Sequence, residues 1–344
     1  MDRWRWTMAL VVCALSWVGV GTTSAQTGRG SAPRTADGRP DLQGVWDFRT
    51  LTPLQRPADR GEKAVLTAEE AAEIEARAVQ SAIDADRPSE VRTEPLPVGA
   101  PVGGYNNFWF DRGAGVVDDN RTSLIVSPEN GRVPPLQPAL TMVELSLGED
   151  LPGTRPVRVR AAGIGADSWE DRGLAERCLL GFNSGPPVVP AGYNQNLQIF
   201  QTPDHVVILH EMVHDARVVP LDGRPHLPEG VRQWMGDSRG YWDGDTLVVE
   251  STNYTDKTAS FSPSVTMAAG DGTTLSLTER FTRVAEDTLL YEFTVNDATT
   301  FTAPITAQIP MKRGEAMFEY ACHEGNYGLP NILAGARQAE NAAR

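Results

Sequence analysis

Short strand-like runs recur at regular intervals through the second half of the chain, and they constrain its fold more than any other feature. After Trp242 these runs cover residues 246–251, 275–284, 288–296, 301–309 and 317–322. Three breaks, at residues 243–245, 285–287 and 296–297, are short enough for hairpin turns. Strands at this spacing form an antiparallel meander, which closes into a barrel or folds into a sandwich. The sequence therefore predicts a mainly β fold.

The first half of the chain predicts fewer regular elements. Residues 26–40 contain Gly, Ser, Thr, Arg and Pro with almost no apolar side chains, which predicts a flexible leader. A first strand is expected over residues 41–48. Thr67 and Glu70 have the spacing of a capping box, and the Ala- and Glu-rich run behind them predicts one helix near the N-terminus, over residues 67–83.

The domain organisation follows from these elements. Residues 87–105 are rich in Pro and Gly and predict a connecting loop. We expect a single β-rich domain over residues 41–335, which includes the helix, followed by a C-terminal tail over residues 336–344.

The first residues predict export from the cytoplasm. Arg3 and Arg5 precede an apolar run over residues 8–21, and the small residues 23–25 follow it. This is the layout of a secretory signal, and the apolar run is too short to span a bilayer. We expect residues 1–25 to be a signal peptide cleaved near Ala25, which leaves a periplasmic or secreted protein. Elsewhere the sequence contains no run of about 18 apolar residues, so stable membrane insertion is not expected.

The net charge narrows the class of partner. The formal charge is −14 over 344 residues. Excess acid disfavours nucleic acids and anionic membranes, which attract basic proteins. The charge does not identify the partner itself.

Two cysteines remain after signal cleavage, because Cys13 lies inside the predicted signal. An even pair in an oxidising compartment is most simply a disulfide, which predicts a Cys178–Cys322 bond. The alternative is two buried free thiols.

Residues 210–214 (HEMVH) match the zinc-binding pattern H-E-x-x-H. On a helix, His210 and His214 would share a face and bind one zinc ion, with Glu211 as the base. The flanking residues are β-branched and apolar, which favours a strand, where the two histidines would stand ~13 Å apart. Zinc therefore stays an alternative, and the main expectation is that no cofactor is required.

Strand alternation across the same residues predicts two faces. Glu211, Asp215 and Arg217 would share one face with Val213, and the two histidines would share the other.

Residues 236–240 (GDSRG) match G-x-S-x-G, but a turn and a strand follow them where a serine hydrolase needs a helix.

Two segments are unusually rich in reactive and aromatic side chains, residues 214–243 and 322–328. The predicted disulfide would bring the second segment close to the loop at residues 181–196. Carboxylates, imidazoles and guanidinium groups within reach of one another serve acid–base chemistry, and aromatic rings provide a stacking surface for a ligand. The candidate catalytic residues are His214, Asp215, Arg239, His323 and Glu324. The candidate ligand-binding residues are Tyr193, Asn194, Asn196, Arg217, His226, Trp234, Trp242, Asn326 and Tyr327.

Several segments together resemble a family. These are residues 40–46 (PDLQGVW), 176–179 (ERCL), 214–217 (HDAR), 232–240 (RQWMGDSRG) and 321–328 (ACHEGNYG). They are similar to those of a large family of secreted bacterial proteins without an assigned activity. The resemblance covers nearly the whole mature chain and implies export and a single recurring unit. Gly44-Val45-Trp46 also resembles the Gly-x-Trp that opens the first strand of lipocalin-type barrels, which implies a closed barrel with an internal cavity.

Three functions remain open. The first is an exported acid–base enzyme, a lyase, hydrolase or isomerase, that acts on a small sugar-like or aromatic molecule in a barrel cavity. The sequence has no Gly-rich dinucleotide or phosphate loop, which agrees with chemistry that needs no redox cofactor. The second is a lipocalin-like protein that binds a small ligand without converting it. The third is a zinc-dependent hydrolase that uses His210, Glu211 and His214.

Overall fold

A computed structural model describes residues 32–87, 93–94, 109–144 and 158–344 of the chain. The predicted signal peptide (1–25), residues 26–31 of the predicted leader and most of the predicted loop at 87–105 lie outside the described residues. Residues 32–40 of the leader do contain regular contacts, because Arg34 pairs with Pro40 in a β-bridge and forms an ion pair with Asp245.

Twelve strands and two α-helices are present in the described residues. The strands are β1 (Gly44–Asp47), β2 (Ile125–Ser127), β3 (Val143–Glu144), β4 (Asn196–Gln201), β5 (His205–His210), β6 (Ala216–Pro220), β7 (Asp237–Asp243), β8 (Thr246–Thr252), β9 (Met267–Ala268), β10 (Ser276–Arg283), β11 (Thr288–Asn296) and β12 (Ile305–Arg313). The helices are α1 (Ala68–Ala85) and α2 (Gly328–Ala342).

Nine of the strands form one antiparallel sheet that curls into a nearly closed barrel. Their order is β6-β5-β4-β1-β12-β11-β10-β8-β7, with β2 paired to β12 outside this path and β3 paired to β9 separately. The prediction of an antiparallel meander that forms a barrel is confirmed, and a sandwich is not formed. Strand β1 joins the two meanders, since it pairs with β4 on one side and β12 on the other.

The barrel closes where its edge strands β6 and β7 approach each other. Gly240 on β7 has no side chain to separate the two strands. A Cβ atom placed there would lie 2.8 Å from the Val219 Cγ1 atom on β6 and 2.7 Å from the Leu221 Cδ2 atom. The absence of a side chain at Gly240 therefore allows the close approach of the two edges.

The interior of the barrel is filled by large apolar side chains. Buried and partly exposed positions alternate along β10, β11 and β12, as expected for strands with one face on a core. Trp46, Phe281, Tyr291 and Phe293 are all at most 1% exposed and belong to one continuous core. Because these side chains occupy the interior, the clefts described below lie where β6 and β7 separate and around the rim of the barrel.

Helix α1 confirms the helix predicted over residues 67–83. The Thr67 side chain accepts a hydrogen bond from the Glu70 N–H, and the Glu70 carboxylate accepts one from the Thr67 N–H, so the predicted capping box is formed. Neither described helix is both long and apolar enough to cross a membrane.

The C-terminal region departs from the sequence prediction. Residues 336–342, assigned to a tail, continue helix α2, which tolerates Pro330 because its first turn needs no N–H donor there. The strand expected over residues 301–309 lies instead at 305–313, directly after Pro304, which fixes φ and lacks an N–H. Residues 317–322, also predicted as a strand, form an irregular segment that ends at the cysteine bonded to Cys178.

Candidate functional site

The H-E-x-x-H residues lie across the hairpin between β5 and β6. His210 ends β5, and the chain then reverses through a 3-10 turn over Met212–His214, in which Val213 and His214 have φ angles of 63° and 44°. His210 is consequently buried at 1% exposure, whereas His214 is exposed at the tip of the hairpin. A helix does not form, which removes the geometry on which the zinc alternative depended.

The predicted division of this segment into two strand faces is wrong for the same reason. The reversal at the turn interrupts the alternation, so His210 on β5 and Arg217 on β6 are both buried although they were assigned to opposite faces. Among the residues that the structure describes, no three His, Cys, Asp or Glu side chains form a group that could hold a metal ion.

A cleft opens between β6 and β7 beside their point of contact, and it contains several predicted site residues. We call it the β6–β7 cleft; its volume is about 760 Å³. Asp215 and Arg217 line one wall, and Trp234, Asp237 and Arg239 line the other. These residues are far apart in sequence, and the near closure of the barrel brings them together.

Asp215 is the carboxylate in this cleft that has the most unusual environment. Its Oδ2 atom accepts hydrogen bonds from the Ser184 hydroxyl at 3.3 Å and from the Gly181 N–H at 3.5 Å. Burial raises the pKa of Asp215, and these hydrogen bonds and the positive charge of Arg160 offset the rise only in part. A carboxyl group with a raised pKa keeps its proton to a higher pH than an ordinary aspartic acid, which favours a role as proton donor.

A buried ion pair lies behind the cleft. Arg217 makes two hydrogen bonds to Glu279 on β10, of which the Nη2–Oε1 contact measures 2.9 Å. The Tyr291 hydroxyl donates to the same Oε1 atom at 2.8 Å and accepts from the Val188 N–H. Burial lowers the pKa of Arg217, but the attraction of Glu279, its hydrogen bonds and the neighbouring tyrosines together raise the pKa above its ordinary value, so the guanidinium stays charged. This group fixes Arg217 in position at the inner end of the cleft.

His210 lies in the same polar interior and is held neutral. Burial, together with the positive charges of Arg217 and Arg160, lowers the pKa of His210 to about 3. Neither ring nitrogen has a hydrogen-bond partner within the described structure. An imidazole without partners is a costly feature in a protein core.

Asp237 organises the opposite wall of the cleft. Its Oδ2 atom contacts the His226 Nδ1 atom at 2.8 Å and accepts a hydrogen bond from the Leu227 N–H, while its Oδ1 atom accepts one from Arg239 at 3.3 Å. The neighbouring Ser238 is buried on β7 with its hydroxyl against Ser251. Ser238 therefore lies within a strand and not at a strand-to-helix turn of the kind that a nucleophile elbow requires.

The predicted disulfide between Cys178 and Cys322 is present and attaches the C-terminal segment to the middle of the chain. The Asn326 side chain donates to the Glu176 carbonyl at 2.7 Å, and the His214 Nδ1 atom lies 2.9 Å from the Tyr320 carbonyl oxygen. A second cleft, of about 480 Å³, lies beside the disulfide and is lined by Tyr193 and Asn326 among others.

Other predicted site residues lie outside both clefts. His323, Glu324 and Tyr327 are exposed, and the first two side chains make no hydrogen bond or ion pair with any described residue. Trp242 is partly buried and packs against the apolar core of the barrel.

Two of the predicted asparagines have structural contacts. The Asn196 amide donates to Glu211 at 2.9 Å, and Asn194 adopts a left-handed conformation in which its carbonyl accepts from Asn183.

Sequence reasoning missed the inward-facing polar residues. Glu279 occupies an inward position between Leu277 and Phe281 on β10, and Tyr291 lies between Leu289 and Phe293 on β11. A charged residue at an apolar position of an alternating strand is the signal that could have identified Glu279.

Comparisons with known proteins identify no relatives. No protein-family model, no curated protein and no solved structure matches this chain.

Proposed function

We propose that this protein is an acid–base enzyme, a lyase, hydrolase or isomerase, that converts a small sugar-like or aromatic molecule in the β6–β7 cleft. The supporting observation is the Asp215 carboxyl group, which lines the cleft and whose pKa is raised by burial. Groups with this perturbation concentrate at catalytic sites, because a proton donor works best when its pKa lies near the working pH.

The surroundings of Asp215 suit a bound organic molecule. Trp234 offers an aromatic ring in the same cleft, against which a sugar or aromatic ring can stack. Arg217 makes two hydrogen bonds to Glu279 and Arg239 makes one to Asp237, so both guanidinium groups are oriented by a carboxylate before a substrate arrives. Preorganised positive groups of this kind stabilise negative charge that develops during proton transfer.

The test must find a reaction before a substrate is known. We would incubate the purified protein with panels of small sugars and aromatic compounds in D₂O and in H₂¹⁸O and follow mass changes. Proton abstraction and return adds deuterium, and hydrolysis adds ¹⁸O. For any compound that is converted, Asp215→Asn should lower turnover by ~10²-fold or more, the usual contribution of a positioned acid or base.

Matched variants make the result specific. Asp118→Asn changes a carboxylate that is 80% exposed and does not line the cleft, and it should leave turnover unchanged. His323→Ala and Glu324→Gln test the exposed candidates on the C-terminal segment. Full turnover in Asp215→Asn would refute the role of this carboxyl group.

We also propose that the protein acts outside the cytoplasm after cleavage near Ala25. The Cys178–Cys322 disulfide supports this location, because disulfides persist in oxidising compartments. Expression of the full chain in a bacterial host should yield a periplasmic or secreted product that begins near Gln26 by N-terminal sequencing. A cytoplasmic product that keeps Met1 would contradict the proposal.

A further inference from the structure

A small cavity adjoins the β6–β7 cleft on the other side of Trp234. Its volume is about 100 Å³, and Trp234 contributes to the lining of both spaces. Arg160 lies in its wall together with aromatic and apolar side chains, among them Phe182, Tyr254 and Phe261. We call it the Arg160 cavity.

Arg160 has no anionic partner in the described structure. Its guanidinium donates to two backbone carbonyls, those of Gly181 at 2.9 Å and Gly185 at 3.5 Å, and it forms no ion pair with a carboxylate of the described residues. Removal from water lowers the pKa of Arg160 to about 10, and the attraction of Asp215 offsets only part of this effect. Arg217, by contrast, has a bidentate carboxylate partner in the same interior.

The neighbours of Arg160 compensate its charge only in part. Asp215 directs its Oδ2 atom to Ser184 and Gly181, and His210 is neutral with both ring nitrogens unpartnered. A partly desolvated cation without a directly paired anion is unfavourable, and a bound anion in direct contact reduces that penalty. The planar guanidinium group matches a carboxylate in shape and in hydrogen-bond geometry.

We propose that the Arg160 cavity binds the carboxylate of a small organic acid, with the guanidinium of Arg160 as the ligand for the anion. Phe182, Trp234 and Phe261 then contact the ring or hydrocarbon part of the ligand. The cavity is small, so the part of a ligand that does not fit inside it extends past Trp234 towards Asp215. The binding claim is independent of catalysis, whereas naming such acids as the substrate class rests on the proposed function.

Benzoate and benzamide provide a matched pair of probes, because they differ in charge and hardly in size. Calorimetric titration should show that benzoate binds the unmodified protein at least about tenfold more tightly than benzamide. Arg160→Gln should abolish this preference. Arg224→Gln, which removes an arginine that is 69% exposed in a surface loop, should preserve it.

A measurement on the unmodified protein covers the case in which Arg160→Gln does not fold. In protein labelled with ¹⁵N-arginine, benzoate should shift one arginine Nε–H resonance, and benzamide should not. Equal affinity for the two probes, equal benzoate affinity in Arg160→Gln, or no resonance shift at about 10 mM benzoate would overturn the proposal.

The two proposals can fail separately. Asp215→Asn should keep the preference for benzoate over benzamide while it loses turnover. Retained turnover in Asp215→Asn together with lost binding in Arg160→Gln would refute the catalytic proposal and leave the binding site supported. Lost turnover in Asp215→Asn, together with equal affinity of the unmodified protein for benzoate and benzamide, would support the catalytic proposal and refute the binding site.

Discussion

The buried imidazole of His210 makes the stability of this protein sensitive to acid in a defined pH range. In the folded protein burial lowers its pKa from 6.5 to about 3. As the pH falls below 6.5, the unfolded chain binds a proton that the folded protein does not, so unfolding becomes more favourable. Protonation of His210 therefore leaves the free energy of unfolding unchanged above pH 6.5 and lowers it progressively as the pH falls towards 3.

The size of the effect follows from the same two values. Each pH unit between them changes the free energy of unfolding by about 1.4 kcal/mol. Lowering the pH from about 7.5 to about 5 crosses roughly 1.5 units of this range, so His210 alone should cost about 2 kcal/mol at the lower pH. His210→Leu should lose this component, and at pH 7.5 it should be at least as stable because both ring nitrogens lack partners.

Urea unfolding followed by circular dichroism measures both proteins at the two pH values. The quantity of interest is the difference between the proteins, because carboxylate titrations common to both cancel in it. His205→Leu is the matched control at the other end of β5, where the imidazole is 39% exposed. The free energy of unfolding of this variant should change between pH 7.5 and 5 by about as much as that of the unmodified protein. A difference between the unmodified protein and His210→Leu that stays constant from pH 7.5 to 5 would refute the reasoning.

Two further predictions concern the buried ion pair and the disulfide. Glu279→Gln should lower the free energy of unfolding by about 3–5 kcal/mol, because it leaves Arg217 buried without its anion, whereas Arg217→Met combined with Glu279→Leu should be near neutral. A urea-measured loss below about 1 kcal/mol in Glu279→Gln would mean that water reaches the pair. Replacing both Cys178 and Cys322 by Ala should cost about 2–5 kcal/mol, since the bond closes a loop between residues separated by 144 positions. Chemical reduction of the unmodified protein should lower its thermal midpoint to about that of the double Ala variant. An unchanged midpoint after reduction would contradict this prediction.

Local patterns in the sequence were sufficient for most regular elements. The runs at 246–251 and 288–296 became β8 and β11 with nearly the predicted bounds, because hairpin-connected strands depend on residues close together in sequence. The capping box at Thr67 likewise depends on a residue only three positions away. The disulfide was predictable because only two cysteines remain after the predicted signal.

The hairpin at residues 210–214 shows where such reasoning failed. β-branched flanks indicated strand correctly on both sides, but nothing local specified that Val213 and His214 would adopt positive φ angles and reverse the chain. The reversal decides which side chains enter the barrel. Because of this one turn, the predicted division of residues 210–217 into two strand faces is wrong.

The sequence by itself determined the antiparallel meander, the first helix and the cysteine pair, because these depend on periodicity, short-range capping and composition. Only the tertiary structure decided that Arg217 would meet Glu279 across the barrel, that Asp215 would line a cleft with Trp234, and that Arg160 would donate to backbone carbonyls. Those relations depend on how distant strands are ordered around the barrel and where its two edges meet. Contacts between residues far apart in the chain leave no local pattern in the sequence, and the site forms only because the sheet curls until its two edges meet.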